Sequence, residues 1–441
     1  MRPRAPFEIA PKMRPIPPKR SGVVGVLEVG TSKIVCLIAR LKPRDFSNSL
    51  RRRTHSVDIL GIGHTSAHGI KGGTVVDMER AEHAIRRAVD AAERMAGAQI
   101  ASVVVSMAGG RLSSEHFAAE VDLPEPAVAE GDIRRVLDAA STFVVGEGRT
   151  ILHALPVGYA IDGVAGIAEP RGMLGRRLGV DLHVITAEAS AVRNLLLCIE
   201  RCHLGVEAMV AAPYAAALST LADDESELGV TLIDFGAGTT TVAVVMNGQC
   251  VHVDGIAVGG QHVTNDVARG LSTRLADAER LKSLHGGVMA LGADDREMLT
   301  VPSISDDHRD LPRAIPKSRL LQIIRPRIEE IVEMIRDRLV TSGHAAGAGQ
   351  RVVLTGGASQ LTGHAELVGK VLGPQVRIGR PLGISRLPEA ARGAPFAVAT
   401  GLLVYPQVAG LEHFEARRRR ASQGEADGYF SRVGHWLREA F

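Results

Sequence analysis

Aromatic side chains are scarce in this 441-residue sequence, which has one tryptophan, four tyrosines and nine phenylalanines, together 3% of the chain. The core must therefore be built mainly from Ala, Val, Leu and Ile. Charge of one sign is also lacking, since 52 Lys and Arg face 49 Asp and Glu, a formal net charge of +3. That balance argues against a protein dedicated to nucleic acid, and we predict no nucleic-acid partner.

Cysteine is rare as well, with only Cys36, Cys198, Cys202 and Cys250. Residues 1–21 are basic and rich in proline, without the apolar block of a secretory signal, and we predict that they form a disordered arm. Reduced cytoplasmic thiols are therefore expected rather than a disulfide scaffold. No apolar run was found that reaches the roughly 18 to 20 residues of a membrane-spanning helix.

Two segments share one pattern. Residues 22–41 read GVVGVLEV, then GTSK, then IVCLIARL. Residues 229–247 read GVTLIDF, then GAGTT, then TVAVVMN. Each is typical of a β-hairpin with a glycine-rich turn. In each, a carboxylate, Glu28 or Asp234, stands at the end of the first strand, two residues before a glycine. The repeat predicts two halves of similar design.

Helical periodicity appears at residues 79–96, 188–203 and 317–341. Pro326 is expected to kink the last of these helices or to mark its first turn. Strands that alternate with such helices predict an α/β fold.

Glycine-rich turns expose backbone N–H groups because no Cβ prevents close approach, and with nearby hydroxyls they form concave anion sites. Two such turns that face each other would hold a chain of phosphates. Glu28 and Asp234 would then position Mg²⁺ through water. The predicted phosphate-binding residues are Gly30, Thr31, Ser32 and Lys33 in the first turn, and Gly236, Ala237, Gly238, Thr239 and Thr240 in the second.

A third glycine-rich element is RVVLTGGASQ, residues 351–360. It is typical of a strand that leads into a helix start, and its paired glycines would let a flat ring such as adenine lie against the backbone.

The motifs LEVGTSK, IDFGAGTT and LTGGASQ resemble the two phosphate motifs and the adenosine motif of the actin-like ATPase superfamily. GIKGGTVVD (69–77), LHALPVGYAIDG (152–163), ELGVTLIDFGAGTT (227–240) and the apolar C-terminus are similar to the FtsA family of bacterial cell-division proteins over residues 22–441. The resemblance implies an actin-like two-lobed ATPase fold with an inserted small α+β subdomain and a C-terminal amphipathic helix.

The implied domains follow in chain order after the arm. They are the lobe 1 core (22–100, 186–204 and 390–415), the inserted subdomain (101–185), the lobe 2 core (205–274 and 346–389), subdomain 2B (275–345), a flexible linker (416–428) and the amphipathic helix (429–441).

The resemblance also implies roles for single residues. Glu28 and Asp234 match the metal-side carboxylates, and Glu279, Lys282, Gly356, Gly357 and Ala358 match positions at the adenosine. Ala237 stands where glycine is common, and Thr241 stands where many relatives carry aspartate. We therefore expect ATP and Mg²⁺ to bind, with slow or absent hydrolysis, and we assign no catalytic residue.

Residues 429–441 place their apolar side chains on one stripe of a helix that is too short to span a bilayer. Such a helix can lie in the membrane interface, helped by the basic run Arg417–Arg420. The predicted membrane-binding residues are Phe430, Arg432, Val433, Trp436, Leu437, Arg438 and Phe441.

The resemblance implies a protein that polymerises, tethers FtsZ filaments to the cytoplasmic face of the inner membrane at the division site, and recruits later divisome membrane proteins. It implies that the FtsZ C-terminal peptide docks on subdomain 2B, that copies of the chain form filaments, and that anionic lipid is bound peripherally. The alternatives are a pilus-assembly or other actin-superfamily ATPase, or a small-molecule kinase of the same superfamily.

Overall fold

The computed structural model describes residues 8–44, 53–142, 145–289, 294–303, 312–345, 351–373 and 375–413. The predicted linker (416–428) and amphipathic helix (429–441) lie outside the described residues, as do residues 1–7.

The described chain forms ten α-helices and twenty strands, which fall into three large sheets and two small hairpins. The helices are α1 (Met78–Ala96), α2 (Glu130–Ala140), α3 (Ala189–Arg201), α4 (Ala212–Thr220), α5 (Asp223–Leu228), α6 (Gly260–Leu271), α7 (Leu275–His285), α8 (Lys317–Thr341), α9 (His364–Leu372) and α10 (Ala397–Val408). The strands are β1 (Glu8–Ile9), β2 (Gly22–Val29), β3 (Lys33–Pro43), β4 (His55–Ser66), β5 (Ile70–Lys71), β6 (Thr74–Val75), β7 (Ser102–Met107), β8 (Ser113–Asp122), β9 (Arg149–Ile161), β10 (Val164–Ile167), β11 (Arg177–Glu188), β12 (Gly205–Ala211), β13 (Val230–Phe235), β14 (Thr240–Met246), β15 (Gln249–Ile256), β16 (Met298–Val301), β17 (Arg313–Pro316), β18 (Arg351–Thr355), β19 (Val376–Ile378) and β20 (Ile384–Ser385).

Each predicted hairpin supplies the first two strands, in chain order, of one main sheet. In lobe 1 the strand order is β12-β7-β2-β3-β4-β20, with β2 and β3 antiparallel and β7 parallel to β2. In lobe 2 the order is β15-β14-β13-β18-β19, with β13 and β14 antiparallel and β18 parallel to β13. Both hairpins are buried on both faces, which explains their nearly continuous runs of Val, Ile and Leu.

The helices match their periodicity closely. On α1 the predicted stripe of alanines and Ile85 is buried, and Asp77 caps the N-terminus by accepting from the N–H of Arg80 at 3.1 Å. The helix α8 spans the whole of the predicted range 317–341. Pro326 lies well inside it rather than in its first turn, and the helix continues past it.

The inserted subdomain has its own sheet, in the order β1-β9-β11-β8 with β10 beside β9, and α2 packs on that sheet around a separate aliphatic core. The predicted start at residue 101 is wrong, because β7 belongs to the lobe 1 sheet, where it pairs with β2 and β12. Pairing partners of this kind cannot be read from the apolar pattern of one strand.

Two boundaries of lobe 2 also differ from the prediction. Residues 205–211 form β12, which pairs in parallel with β7 in lobe 1, and β20 pairs with β4 in lobe 1. The ranges 205–274 and 346–389 therefore each contribute one strand to the other lobe. The chain passes between the lobes more often than the prediction allowed.

One apolar run was missed in the sequence. Residues Ala394–Leu411 form an 18-residue window with a mean hydropathy of 1.4, long enough in principle to cross a membrane. Yet 72% of this window is buried within the protein, where α10 packs against α4 and the lobe 1 sheet. We therefore interpret it as a core helix.

The N-terminal segment is not a disordered arm from residue 8 onward, which corrects the prediction for residues 8–21. β1 pairs in parallel with β9, Ala10 is buried, and the N–H of Ile16 donates to the carbonyl of Pro406 at 2.9 Å. Proline and basic residues suggested disorder, but these contacts depend on partners far along the chain.

A buried ionic cluster joins this N-terminal segment to the insert and to the end of the described chain. Lys12 Nζ lies 2.7 Å from Glu412 Oε2, and His153 Nδ1 lies 2.8 Å from Glu412 Oε1. Because the N–H of Ala211 donates to His153 Nε2, the ring proton is on Nδ1 and is donated to Glu412. Although burial opposes the charge, His153 and Lys12 hold the pKa of Glu412 at about 2.

We expect Glu412→Gln to destabilise the protein by about 3–5 kcal/mol at pH 7, because it leaves the Lys12 ammonium buried without its carboxylate. The Glu412 contribution is present above about pH 4.5 and is lost as the pH falls toward 2, since the folded-state pKa is the lower one. Urea unfolding at pH 7 and at pH 3 measures both effects.

The matched control is Glu389→Gln, which removes the carboxylate of an exposed pair with Arg392. It should cost less than about 1 kcal/mol. Equal losses from the two variants would contradict a structural role for the buried cluster.

Candidate nucleotide-binding cleft

The turns of the two hairpins have the same local construction. A Cβ on Gly30 would lie 2.8 Å from the carbonyl oxygen of Lys33, and a Cβ on Gly236 would lie 2.8 Å from the carbonyl oxygen of Thr239. Each turn therefore closes over its first residue so tightly that a side chain there would force the backbone to move.

The two turns also touch each other. A Cβ on Gly238 would lie 2.2 Å from Thr31 Oγ1, so Gly238 is required by the close approach of the opposite turn. Thr31 Oγ1 in turn accepts from the N–H of Gly73 at 3.1 Å. Lobe 1 and lobe 2 thus meet at their turns, as the repeat predicted.

Glu28 and Asp234 lie behind these turns, close enough for the charge of Glu28 to act on Asp234. Asp234 is buried, and Glu28 is half-buried with its Oε2 removed from water. Burial, followed by the negative charge of Glu28, raises the pKa of Asp234 to about 7. Burial also raises the pKa of Glu28, whose Oε2 has no hydrogen-bond partner among the described residues. Two like charges with an unpartnered buried oxygen form a donor set that suits a hard divalent cation.

Lys33 is placed differently from the prediction. Its ammonium donates to the carbonyl of Pro395 and lies 4.0 Å from the centre of the Phe396 ring. From there its charge opposes, but does not cancel, the rise that burial causes in the pKa values of Glu28 and Asp234. Lys33 still lines the cleft, but in this structure its ammonium is anchored to the segment before α10.

The third glycine-rich element, residues 351–360, borders the same cleft as the two turns. Gly356 follows β18 with φ +83°, and a Cβ there would lie 2.5 Å from Asp234 Oδ1. A side chain at this position is therefore excluded both by the backbone conformation and by the carboxylate. A Cβ on Gly357 would meet no protein atom within 4 Å, so Gly357 faces open space.

Glu279 and Lys282 lie on α7 and are joined to the start of α6. Lys282 Nζ is 2.7 Å from Glu279 Oε2, 2.8 Å from Thr264 Oγ1 and 3.1 Å from the carbonyl of Gly260. Although burial opposes the charge of Glu279, the positive charge of Lys282 keeps the pKa of Glu279 below its ordinary value, helped by hydrogen bonds from Lys282, Thr264 and Ser283. The pair is therefore held in fixed position at the edge of the cleft.

All of these elements border one cavity of about 890 Å³ between the lobes. The predicted residues that line it are Glu28, Gly30, Thr31, Ser32, Lys33, Asp234, Gly236, Ala237, Thr239, Glu279, Lys282, Gly356, Gly357 and Ala358.

Two predicted phosphate residues do not line the cavity. Gly238 packs against Thr31 of the opposite turn. Thr240 is fully buried, and its hydroxyl donates to the carbonyl of Val258 at 2.8 Å. Thr241 is also buried and does not line the cavity.

Sequence analysis missed several lining residues, among them His64, His68, Leu275, Leu284 and Leu361. Leu275 and Leu284 are 55% and 65% exposed, unusual for leucine. A signal existed for Leu275, because it precedes Glu279 by four residues and so lies on the same face of α7. These leucines supply the apolar surface that a flat ring would need.

Comparison with known proteins agrees with this architecture. A family model described as "Cell division protein FtsA" matches residues 231–401, and one described as "SHS2 domain inserted in FTSA" matches residues 109–186. The "Cell division protein FtsA" of Rhizobium meliloti (strain 1021) is 50% identical over 431 residues, covering 98% of each chain. That of Escherichia coli (strain K12) is 33% identical over 431 residues, covering 96% of this chain and 99% of the relative.

The chain belongs to the FtsA family of cell-division proteins. The solved "PilM-PilN type IV pilus biogenesis complex" is similar in fold, with a TM-score of 0.59 at 17% identity over 87% of this chain and 98% of that one. The predicted actin-like two-lobed fold with an inserted subdomain is confirmed, as is an actin-like role in cell division. The second family model begins at residue 109, after β7, in agreement with the corrected start of the insert.

The carboxyl pair generates a prediction about pH. Because the folded-state pKa of Asp234 is raised to about 7 from 3.8, the folded protein holds a proton that the unfolded chain has lost. Stability without ligand should therefore fall as the pH rises from about 4 through 7. Asp234→Asn should gain in thermal midpoint relative to wild type between pH 5 and pH 8, measured by calorimetry.

The control Asp254→Asn removes a carboxylate that Arg338 partners on the same lobe, and it should show no such gain. A constant difference between wild type and Asp234→Asn at both pH values would argue against a buried, protonated Asp234.

Proposed function

We propose that this FtsA-family protein binds ATP with Mg²⁺ in the cleft between its lobes. The observation that carries the proposal is the pair of carboxyl groups, Glu28 and Asp234, directly behind two touching glycine turns. A bound divalent cation would neutralise the two carboxylates and the phosphate charge together.

Different residues of the cleft would contact different parts of the nucleotide. The N–H groups of Gly30 and Gly236 donate within their own turns. The other N–H groups of the two turns and the hydroxyls of Thr31, Ser32 and Thr239 would bind the phosphates, because these residues border the cleft. Glu279 and Lys282 would meet the ribose and the edge of the base. Gly357 and Ala358 would lie along its flat face, with Leu275 as an apolar neighbour.

We expect hydrolysis to be slow or absent. The Ala237 methyl adds bulk at the phosphate side of the cleft, which glycine would not. Thr241 is buried behind the turn and cannot replace a carboxylate facing the phosphates. Nucleotide would then act as a brace between lobes that already touch through Thr31 and Gly238, and the braced form would favour polymerisation.

We further propose that the protein tethers FtsZ filaments to the cytoplasmic face of the inner membrane at the division site. Residues 429–441 would lie in the membrane interface as a peripheral anchor, with the FtsZ C-terminal peptide docking on residues 275–345. The inserted subdomain would contact later divisome membrane proteins and further copies of the chain. Membership in the FtsA family supports this assembly, and the apolar stripe of residues 429–441 supports the anchor.

The alternatives carry less support. The likeness to the PilM-containing complex concerns fold alone at 17% identity, and the kinase alternative has no specific observation in its favour. A pull-down of FtsZ by the purified chain, with the FtsZ C-terminal peptide as competitor, separates them; failure to retain FtsZ would favour another actin-like ATPase.

The nucleotide proposal is tested by Gly357→Leu. The new side chain meets no protein atom near its Cβ and projects into the cleft, so it should block the adenine without straining the fold. Calorimetric titration with ATP and Mg²⁺ should show affinity reduced about tenfold or more.

The matched control is Gly131→Leu on α2, where a Cβ also meets no atom within 4 Å but which lies in the insert, outside the cleft. It should bind ATP as wild type does. Absence of binding by the wild-type protein in the presence of Mg²⁺ would end the nucleotide proposal.

The membrane proposal is tested by co-sedimentation with vesicles that contain anionic lipid. Trp436→Glu should lose most of its binding, because it places a charge in the middle of the apolar stripe. Ser431→Glu adds the same charge on the polar side and should bind nearly as well as wild type. Equal binding by wild type and Trp436→Glu would count against insertion.

A further inference from the structure

A second cavity lies at the junction of lobe 1, lobe 2 and the insert, and has a volume of about 180 Å³. Its walls come from α4 and α10 in lobe 1, from β9 in the insert and from the turn between β14 and β15 in lobe 2. Within the described part of the chain it shares no lining residue with the nucleotide cleft. The functions proposed above make no use of it.

Its size and walls suit one aromatic ring. Val404 and Val408 from α10, with Leu155 and Pro156 from β9, form an apolar wall, and Leu411 stands at the edge of that wall. Leu411 is 46% exposed, whereas Val404 and Val408 are buried. An apolar cavity of about 150 Å³ admits a benzene molecule, so this cavity has the volume for a phenyl ring. It is apolar on the side of α10 and β9, and polar on the side of Arg53 and α5.

The chain leaves the described fold beside this cavity. Leu411 lines it, the next residue is the buried Glu412 that Lys12 and His153 hold, and the N–H of His413 donates to the carbonyl of Ala154 at 3.0 Å. Residues 414–428 can span at most about 50 Å when fully extended. The apolar residues of 429–441 are therefore always within reach of the cavity.

Charge favours the same encounter. Asp223 and Glu227 of α5 line the cavity together with one opposite charge, Arg53, which interacts with Asp223. The carboxylates outnumber that guanidinium, and α5 has the sequence DDESEL. The chain that follows His413 carries the basic run Arg417–Arg420. Opposite charges at the rim attract and orient such a segment.

We propose that an aromatic side chain of residues 429–441 occupies this cavity in the same molecule when no membrane is present. The C-terminal segment then has two competing sites, the protein's own cavity and the bilayer. Tethering raises the local concentration of the segment to about the millimolar range, so weak docking suffices without a partner. The competition, though not the docking, rests on the membrane role proposed above.

Trp436 is the only tryptophan in the chain, so its fluorescence reports on this segment alone. In lipid-free buffer the wild-type protein should emit at shorter wavelength, and resist acrylamide quenching better, than the urea-unfolded chain. Leu411→Gln, which makes the rim polar, should raise the quenching constant about two-fold or more, because the tethered segment is then released. Leu197→Gln on α3, at 47% exposure, is the matched control and should not change it.

A second variant fills the cavity from the opposite wall. Ala217→Leu on α4 enlarges a lining side chain and should release Trp436 as Leu411→Gln does, with the thermal midpoint checking that the fold is intact. Quenching of wild type equal to that of both cavity variants would overturn the proposal. Protection that disappears on dilution would also overturn it, since a second copy would then be the occupant.

Vesicle binding separates this proposal from the membrane role. If both hold, Leu411→Gln binds anionic vesicles more tightly than wild type, because the competing site is lost. If wild type is protected from quenching but fails to bind vesicles, the docking stands and the membrane role fails. If wild type binds vesicles but is quenched like the cavity variants, the membrane role stands and the docking fails.

Discussion

The electrostatic repulsion between Glu28 and Asp234, two carboxyl groups behind touching glycine turns, is the constraint around which the two lobes are arranged. Each carboxyl group is on the second-to-last residue of the first strand of a hairpin, and each hairpin belongs to the main sheet of its lobe. Bringing the turns together therefore forces two like charges into one desolvated space. Lys33 offsets only part of this, because its ammonium is anchored at Pro395 and Phe396. The glycines that surround the pair keep the space open, and Gly356 in particular leaves room beside Asp234 Oδ1.

A second buried ionic group has the opposite character. Around Glu412 every charge has a partner, and the cluster joins the N-terminal segment, the insert and the end of the described chain. The paired cluster can stabilise the fold without a ligand, whereas the unpaired carboxylates of the cleft gain from one. The charges of the Glu412 cluster are thus paired within the protein, whereas Glu28 keeps a buried oxygen without a hydrogen-bond partner among the described residues. Such a difference is expected where binding energy is coupled to the arrangement of the lobes.

Local pattern was enough to predict much of this structure. The two hairpins, the helix α8 and fourteen of the sixteen residues predicted for the cleft follow from apolar periodicity, glycine placement and resemblance. Thr240 was wrong for a reason available in the sequence, because neighbouring residues of a strand point to opposite sides and Thr239 already faces the cleft. The β7 and β12 assignments failed because pairing is a tertiary property that one strand's composition does not encode. The N-terminal segment was misjudged for the same reason, since its contacts involve residues as distant as Glu412.

The placement of that segment has a consequence for biosynthesis. β1 needs β9, β2 shares its sheet with β20, and Lys12 finds its carboxylate 400 positions later in the chain. A ribosome releases these pieces in order, so lobe 1 cannot close when its first strands emerge and must wait until nearly the whole polypeptide has been translated. Lobe 2, whose five strands lie between residues 230 and 378, can assemble earlier. The half that begins the chain is therefore the last to be completed.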